Sequence, residues 1–273
     1  GKDSYIGTSF ERWTLNQPTD FQIDTIDMID GTWKEKSFSE YDVVFHVAGI
    51  AHIKETSDNR LLYYQVNRDL AVQTAQKAKE EGVKHFFFLS TMSVYGIDKG
   101  IITKDTPTTP KNAYGESKLE AENIIRLLED DIFKVAIVRP PMVYGKGCKG
   151  NYPRLAQMAL KTPIFPRINN KRSMIYIDNL SEFVKLLIKH EDSGLFFPQN
   201  AEYVNTSEMV RLIAQLHGKR IRLTRFFNPI IKIFQVSMVK KVFGDLIYDM
   251  GMSDYKNDYA VHSFEASVMD SES

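Results

Sequence analysis

Tyr114 and Lys118, in the stretch Ala113-Tyr114-Gly115-Glu116-Ser117-Lys118, stand four residues apart. That is one helical turn, so both side chains leave the same face of a helix. A phenol ordinarily ionises near pH ~10, too high for a base at neutral pH. An ammonium beside it favours the phenolate and brings that pKa towards the working range. Upstream, Phe86-Phe87-Phe88-Leu89-Ser90 reads as a buried strand, and Thr91-Met92-Ser93-Val94-Tyr95-Gly96 follows as a polar turn. A hydroxyl at the end of a central strand, ahead of a helix carrying Tyr and Lys, suits interconversion of an alcohol and a carbonyl.

The elements that must position these groups alternate between strand and helix, as a doubly wound parallel sheet requires. Residues 6–15 read as the first helix and 21–28 as a strand, with 33–41 a poorly periodic connection. Residues 43–47 form a buried apolar strand, and 67–81 a helix rich in Ala, Gln and Lys. After the 86–90 strand come the Tyr/Lys helix over 112–128 and a strand over 133–138, stopped by Arg139-Pro140-Pro141. The pattern is irregular beyond Tyr144, then gives a strand at 174–177, helices at 179–190 and 207–216, and a basic strand at 220–224. The stretch 226–239 reads as a packed or oligomer-facing helix, because Pro229 and its modest length disfavour a membrane-surface helix. The tail 267–273 is expected to fray.

Composition bounds the function. A chain of 273 residues can bury a substantial core in one large domain or two intimate ones. Its formal net charge of +0 gives no steering towards nucleic acid or an anionic membrane. The single cysteine, Cys148, leaves no intramolecular disulfide and no cysteine-cluster metal site; it reads as a passive loop thiol and fits a reducing cytoplasm. No metal site is expected. No apolar run is long enough to span a bilayer.

With these residues in place, the sequence resembles the extended short-chain dehydrogenase/reductase superfamily, and within it the nucleotide-sugar epimerase/dehydratase family typified by UDP-galactose 4-epimerase. The likeness runs from Gly1-Lys2-Asp3-Ser4-Tyr5-Ile6-Gly7 through Phe45-His46-Val47-Ala48-Gly49 and Val66-Asn67 to the Thr91 turn and the Tyr114 helix. It continues in Arg139-Pro140-Pro141-Met142-Val143-Tyr144-Gly145 and in Arg172 ahead of Ile175-Tyr176-Ile177-Asp178. The resemblance implies a Rossmann-type doubly wound parallel sheet with a smaller, partly C-terminal substrate-binding region. The dinucleotide-binding domain would take residues 1–145 and 173–193, and the substrate-binding region 146–172 and 194–273. It also implies a short apolar central strand ahead of Gly1, between the strands at 21–28 and 43–47.

The resemblance implies a cofactor, NAD, with NADP left open. Gly1 and Gly7 would permit the tight turn and close helix packing a pyrophosphate needs, Ser4 replaces the family's middle glycine, and Tyr5 and Ile6 open the helix facing that charge. Asp27, 20 residues beyond Gly7, would bond the adenosine ribose, with Asp30 and Asp24 as rivals. No arginine follows Asp27, which favours NAD, although Lys2 and Lys34 could neutralise a phosphate. Ala48 and Gly49 match small residues under the cofactor, and Asn67 an asparagine that bonds backbone near the site.

The implied chemistry makes Tyr114 the general base, Lys118 the holder of the nicotinamide ribose and the group that lowers the Tyr114 pKa, and Thr91 the hydroxyl on the sugar oxygen. Ser93, Asn151, Lys171 and Arg172 would contact the nucleotide-sugar substrate; Tyr144 reads as packing. Where the family's 4,6-dehydratases carry an Asp-Glu pair, this chain has Met92 and Ser93, which disfavours elimination of water. An NAD(P)-dependent C4 epimerase of a UDP-hexose or UDP-N-acetylhexosamine is therefore expected. A 4-ketoreductase or sugar dehydrogenase and a non-catalytic dinucleotide-binding scaffold or sensor are the alternatives. A homodimer is compatible with this reading.

Overall fold

The structure, a computed structural model, describes residues 2–16, 21–51, 53–226, 228, 242–256 and 258–273. In chain order it runs α1 (Tyr5–Leu15), β1 (Val43–His46), α2 (Arg60–Tyr64), α3 (Leu70–Glu80), β2 (His85–Leu89), β3 (Gly100–Ile102) and α4 (Ala113–Arg126). Then come β4 (Lys134–Val138), β5 (Met142–Tyr144), α5 (Asn151–Lys161), β6 (Ile164–Pro166), β7 (Met174–Tyr176) and α6 (Ile177–His190). The last are β8 (Gly194–Phe196), α7 (Thr206–Leu216), β9 (Arg222–Thr224), β10 (Leu246–Tyr248) and α8 (Phe264–Glu272).

The chain forms two compact units. The first draws on residues up to Gly96, on Pro107–Pro140 and on Leu180–Pro198. Its sheet has the order β1-β2-β4-β8, every pair parallel, with Val43 opposite His85 and Phe86 opposite Val135. Successive strand residues point to opposite faces, and both faces are covered. On one, Phe86, Phe88, Val135 and Ile137 pack with Ala71, Ala75 and Ala78 of α3 and Ala121 and Ile125 of α4. On the other, Phe87 meets Phe45, and Phe45 meets Phe10 of α1 at a centroid distance of 5.4 Å. Burying a phenylalanine contributes about 1.5–3 kcal/mol, so the run Phe86-Phe87-Phe88, buried on both faces, specifies a central strand.

Two expectations for this unit are corrected. Residues 21–28 make no strand. A ladder there needs a partner on the side of β1 away from β2, and none lies there among the described residues. Ile26 and Met28 pack on the core instead, while the Tyr41 hydroxyl donates to Asp24 at 2.8 Å. The helix expected from residue 67 begins earlier, at Arg60, and passes through a π-helical turn, Gln65–Asp69, before α3. The buried Tyr63, donating to the Ile53 carbonyl at 2.5 Å, anchors that earlier start.

The second unit comprises Ile97–Thr106, Pro141–Asn179 and Gln199–Ser273. It is built on short parallel pairs, β5 with β7, β3 with β10 and β6 with β9, and on α5, α7 and α8. Residues 267–273 do not fray: Ser263 caps α8, Val268 is fully buried, and Glu272 accepts from Tyr152 at 2.7 Å and pairs with His217 at 2.8 Å. Tyr144 is packed, as expected, between Asn200 and Ser267, and burial pushes its pKa up to about 12. Cys148 is buried, which pushes its thiol pKa up. The stretch 226–239 lies almost wholly outside the described residues. No helix among the described residues is long and apolar enough to cross a membrane.

Candidate active site

The Tyr/Lys helix starts at Ala113 because two side chains satisfy its first amides. Asn112 Oδ1 accepts from the Gly115 amide at 2.9 Å, and Glu55 Oε2 accepts from the Ala113 amide at 2.9 Å. Gly115 lets the helix approach the polar turn: a Cβ there would sit 2.7 Å from the Ser93 carbonyl oxygen. Gly96 closes that turn with φ of 63°, where a Cβ would be 1.9 Å from the Thr109 carbonyl oxygen. The turn itself is a 3-10 helix, Met92–Tyr95, capped by Thr91 Oγ1 accepting from the Ser93 amide at 3.1 Å.

These local features bring Tyr114, Lys118 and Thr91 together in the first unit. The Tyr114 phenol lies near Thr91, whose side chain favours its ionised form. Its ring is partly exposed but its hydroxyl is desolvated, so burial pushes its pKa up, against the lowering effect of Thr91 and with a smaller raising effect from Tyr63. Burial, not the Lys118 ammonium, thus dominates the phenol, contrary to expectation. Lys118 is buried; Nζ donates to the Leu89 carbonyl at 2.8 Å and stands 4.6 Å from the Phe88 ring centroid. Burial pulls its pKa down to about 8, with Glu122 opposing. His46, stacked on Phe86 and Phe88, is held neutral, its pKa lowered to about 3 by burial first and by Lys118 second.

Of the residues expected to hold a dinucleotide, Gly7, Ala48, Gly49 and Asn67 lie around the end of β1. Ser4 caps α1, its Oγ accepting from the Gly7 amide at 3.3 Å, and Tyr5 and Ile6 form the half-buried first turn. Gly7 gives α1 a close approach to Val47, whose Cγ2 would be 3.1 Å from an added Cβ. Gly1 lies outside the described residues. Asn67, fully buried in the π-helical turn, grips the Ile50 backbone, accepting from its amide at 2.9 Å and donating to its carbonyl at 3.0 Å. It also donates to Ser117 Oγ on α4 at 3.3 Å. Turns of this kind are frequent at functional sites. Ala48 is buried, and Gly49 faces both groups: a Cβ there would lie 2.9 Å from Asn67 Oδ1 and 3.3 Å from Lys118 Nζ. Asp27 Oδ1 accepts from the Ile29 amide at 3.2 Å, whereas Asp30 is taken up by Thr32 and Asp24 by Tyr41.

A dinucleotide fits this donor set. The start of α1 presents amides suited to a pyrophosphate, and the Gly49 backbone packs so closely on Asn67 and Lys118 that an added methyl group would displace them. Overpacking of this kind costs about 1–3 kcal/mol, so Gly49→Ala is expected to weaken NAD binding roughly tenfold. Calorimetric titration with NAD checks this; an unchanged affinity would remove Gly49 from the cofactor site.

Of the residues expected at the substrate, Ser93 is exposed on the Thr91 turn within the first unit. The other three belong to the second. The Lys171 amide donates to Asp245 Oδ1 at 2.7 Å, and its Nζ stands 5.8 Å from the Tyr203 ring centroid. Arg172 is buried and donates from Nη1 to the Gly244 carbonyl at 3.0 Å; burial lowers its pKa against Asp245 and Asp98. Asn151 opens α5.

Sequence reasoning missed a buried charge network beside Lys118. Arg139 Nε donates to both oxygens of Glu122, at 3.0 and 3.1 Å, and Nη1 donates to the Tyr95 hydroxyl at 2.9 Å. Ser90 Oγ also donates to Glu122. The signal was the placement of Glu122 four residues beyond Lys118, on the same helix face.

The sequence profile of the NAD dependent epimerase/dehydratase family matches residues 7–197. A Vibrio cholerae protein named UDP-glucose 4-epimerase is 32% identical over 225 residues, covering 78% of this chain and 68% of that protein. An Escherichia coli O157:H7 protein named N-acetyl-alpha-D-glucosaminyl-diphospho-ditrans,octacis-undecaprenol 4-epimerase is 28% identical over 202 residues, covering 71% of this chain and 60% of that protein. Among solved structures, the UDP-Glc/GlcNAc 4-epimerase of Campylobacter jejuni superposes with a TM-score of 0.70 at 17% identity, covering 98% of this chain and 95% of the other. That likeness shows the Rossmann-type fold. With the profile match spanning well over half of its length, the chain belongs to the NAD-dependent epimerase/dehydratase family.

Proposed function

We propose that the chain inverts C4 of a nucleoside-diphosphate hexose or N-acetylhexosamine, with Tyr114, Lys118 and Thr91 as the catalytic group. The observation that carries this reading is the Tyr114 phenol beside Thr91, with Lys118 buried one turn further along α4 and donating to the Leu89 carbonyl. The names of the Vibrio cholerae and Escherichia coli relatives support C4 as the reacting carbon and a diphosphate-linked sugar as the substrate class.

NAD, when bound, supplies the acceptor and then the donor of one hydride. Ser4, Tyr5, Ile6, Gly7, Asp27, Ala48, Gly49 and Asn67 would hold it, the glycines by allowing close backbone approach. Thr91 orients the sugar hydroxyl, and Tyr114 takes its proton and later returns it. Because burial raises the phenol pKa, the phenolate needs positive charge nearby, and in this reading Lys118, one turn further along α4, would supply it. In the second unit, Arg172 carries a buried guanidinium suited to a phosphate, with Lys171 and Asn151 as further contacts. Elimination of water is disfavoured. Met92 and Ser93 carry no carboxylate, and Glu116 is held by Arg60 at 2.5 Å and Tyr64 at 2.6 Å.

The test is product analysis by NMR and mass spectrometry with UDP-glucose, UDP-galactose and their N-acetyl forms. Inversion at C4 without change of mass is expected, with NAD retained through gel filtration. A product lighter by one water would overturn the reading. Turnover only with added NADPH would make the chain a 4-ketoreductase, and NAD binding without conversion of any sugar a sensor or scaffold.

A further inference from the structure

Glu122 takes no part in the proton and hydride chemistry proposed above, yet it is a fully buried carboxylate. It lies on α4 one turn beyond Lys118, and every neighbour that holds it comes from a different element. Arg139, after β4, reaches it with Nε and with Nη2, the latter at 2.5 Å, and is itself buried. Ser90, the residue before Thr91, donates to it from the end of β2. Tyr95, at the far end of the Thr91 turn, receives the remaining Arg139 nitrogen. One carboxylate thereby ties the helix bearing Tyr114 and Lys118 to both ends of the turn bearing Thr91.

The groups around Lys118 make the electrostatic consequence specific. β1 contributes His46, which is neutral, and the π-helical turn contributes Asn67, which carries no charge. β2 contributes the Leu89 carbonyl and the Phe88 ring. α4 itself contributes Tyr114 and Glu122. Among the described residues, Glu122 is the carboxylate whose charge supports the Lys118 ammonium against its burial.

Resting on the assignment of Tyr114, Lys118 and Thr91 above, we infer that Glu122, bound by Arg139 and Ser90, is a positioning residue that fixes α4 against the Thr91 turn and places its carboxylate one turn beyond the buried Lys118 as counter-charge to that ammonium. The sign follows directly. An ammonium is charged below its pKa, and loss of a neighbouring carboxylate lowers that pKa, so the charge disappears at a lower pH. In Glu122→Gln the Arg139 guanidinium, no longer balanced by that carboxylate, acts in the same direction.

The full chain, labelled with 13C-lysine, reports this through the Cε resonance of Lys118, identified by its loss in Lys118→Arg. The wild-type midpoint is expected near 8. In Glu122→Gln it should fall by about one unit, whereas Glu122→Asp, which keeps the charge, should stay close to wild type. An unchanged midpoint in Glu122→Gln overturns the inference, as does an equal fall in both variants. Should Glu122→Gln not fold, the double variant Glu122→Met with Arg139→Met leaves no unpaired buried charge. Its Lys118 midpoint is compared with that of Arg139→Met, so that Arg139 is absent from both: a lower midpoint in the double variant supports the inference and an equal one overturns it. The readout needs no turnover, so a shifted midpoint in a chain without 4-epimerase activity would sink the proposed function and leave this inference standing.

Discussion

Tyr114→Phe is expected to lower C4 epimerisation by roughly 10²–10⁴-fold, the range for loss of a positioned general acid–base group. The variant should keep the fold and the affinity for NAD. Phenylalanine preserves the ring and removes only the hydroxyl that lies near Thr91. Neither the caps of α4, from Asn112 and Glu55, nor the Lys118 contact with Leu89 involves that hydroxyl. Turnover measured at saturating UDP-sugar, with NAD binding followed in parallel, separates the two effects. Near-native turnover would remove Tyr114 from the chemistry. Equal loss of NAD binding and turnover would make its role structural.

Arg139→Met is expected to destabilise the chain by about 3–5 kcal/mol, because removing one partner of a buried ion pair leaves the other uncompensated. The side chains of Arg139 and Glu122 are 5% and 0% exposed, so water cannot replace the guanidinium. Exposed pairs such as Lys84–Asp42 offer a control, since surface ion pairs contribute about 0–1 kcal/mol. Urea denaturation of Arg139→Met, of Lys84→Met and of the double variant Arg139→Met with Glu122→Met tests the argument. The double variant should recover much of the loss, because apolar replacement of a whole buried pair is often close to neutral. A single variant as stable as Lys84→Met would show that Glu122 has found another partner or taken up a proton.

Much of the first unit was legible in the residues. The unbroken apolar run Phe86-Phe87-Phe88-Leu89 and the run from Val135 to Val138 announce strands covered on both faces, and both proved to be central partners in a parallel ladder. The Tyr/Lys helix was located within two residues at either end, because Asn112 and the apolar stripe of Ala113, Ala121 and Ile125 are local signals. Residues 21–28 looked equally like a strand, yet a strand exists only where a neighbour supplies hydrogen bonds. The tail 267–273 looked polar and short, yet Ser263 caps it as a helix and Val268 fills a buried position.

The sequence by itself determined the parallel α/β core and the one-turn spacing that puts Tyr114 and Lys118 on one helix face, because periodicity and capping are encoded within a few consecutive residues. Tertiary structure alone decided what surrounds that face. Asn67 grips the Ile50 backbone 17 residues away, and Arg139, just after β4, meets Glu122 on α4. It also decided the charge states: burial raises the Tyr114 phenol and pulls Lys118 down to about 8, although the sequence suggested a phenol governed by its neighbouring ammonium. The physical reason is the same in each case. Desolvation and buried ion pairing depend on which distant residues exclude water from a group, and that is a property of the packed chain rather than of any local stretch.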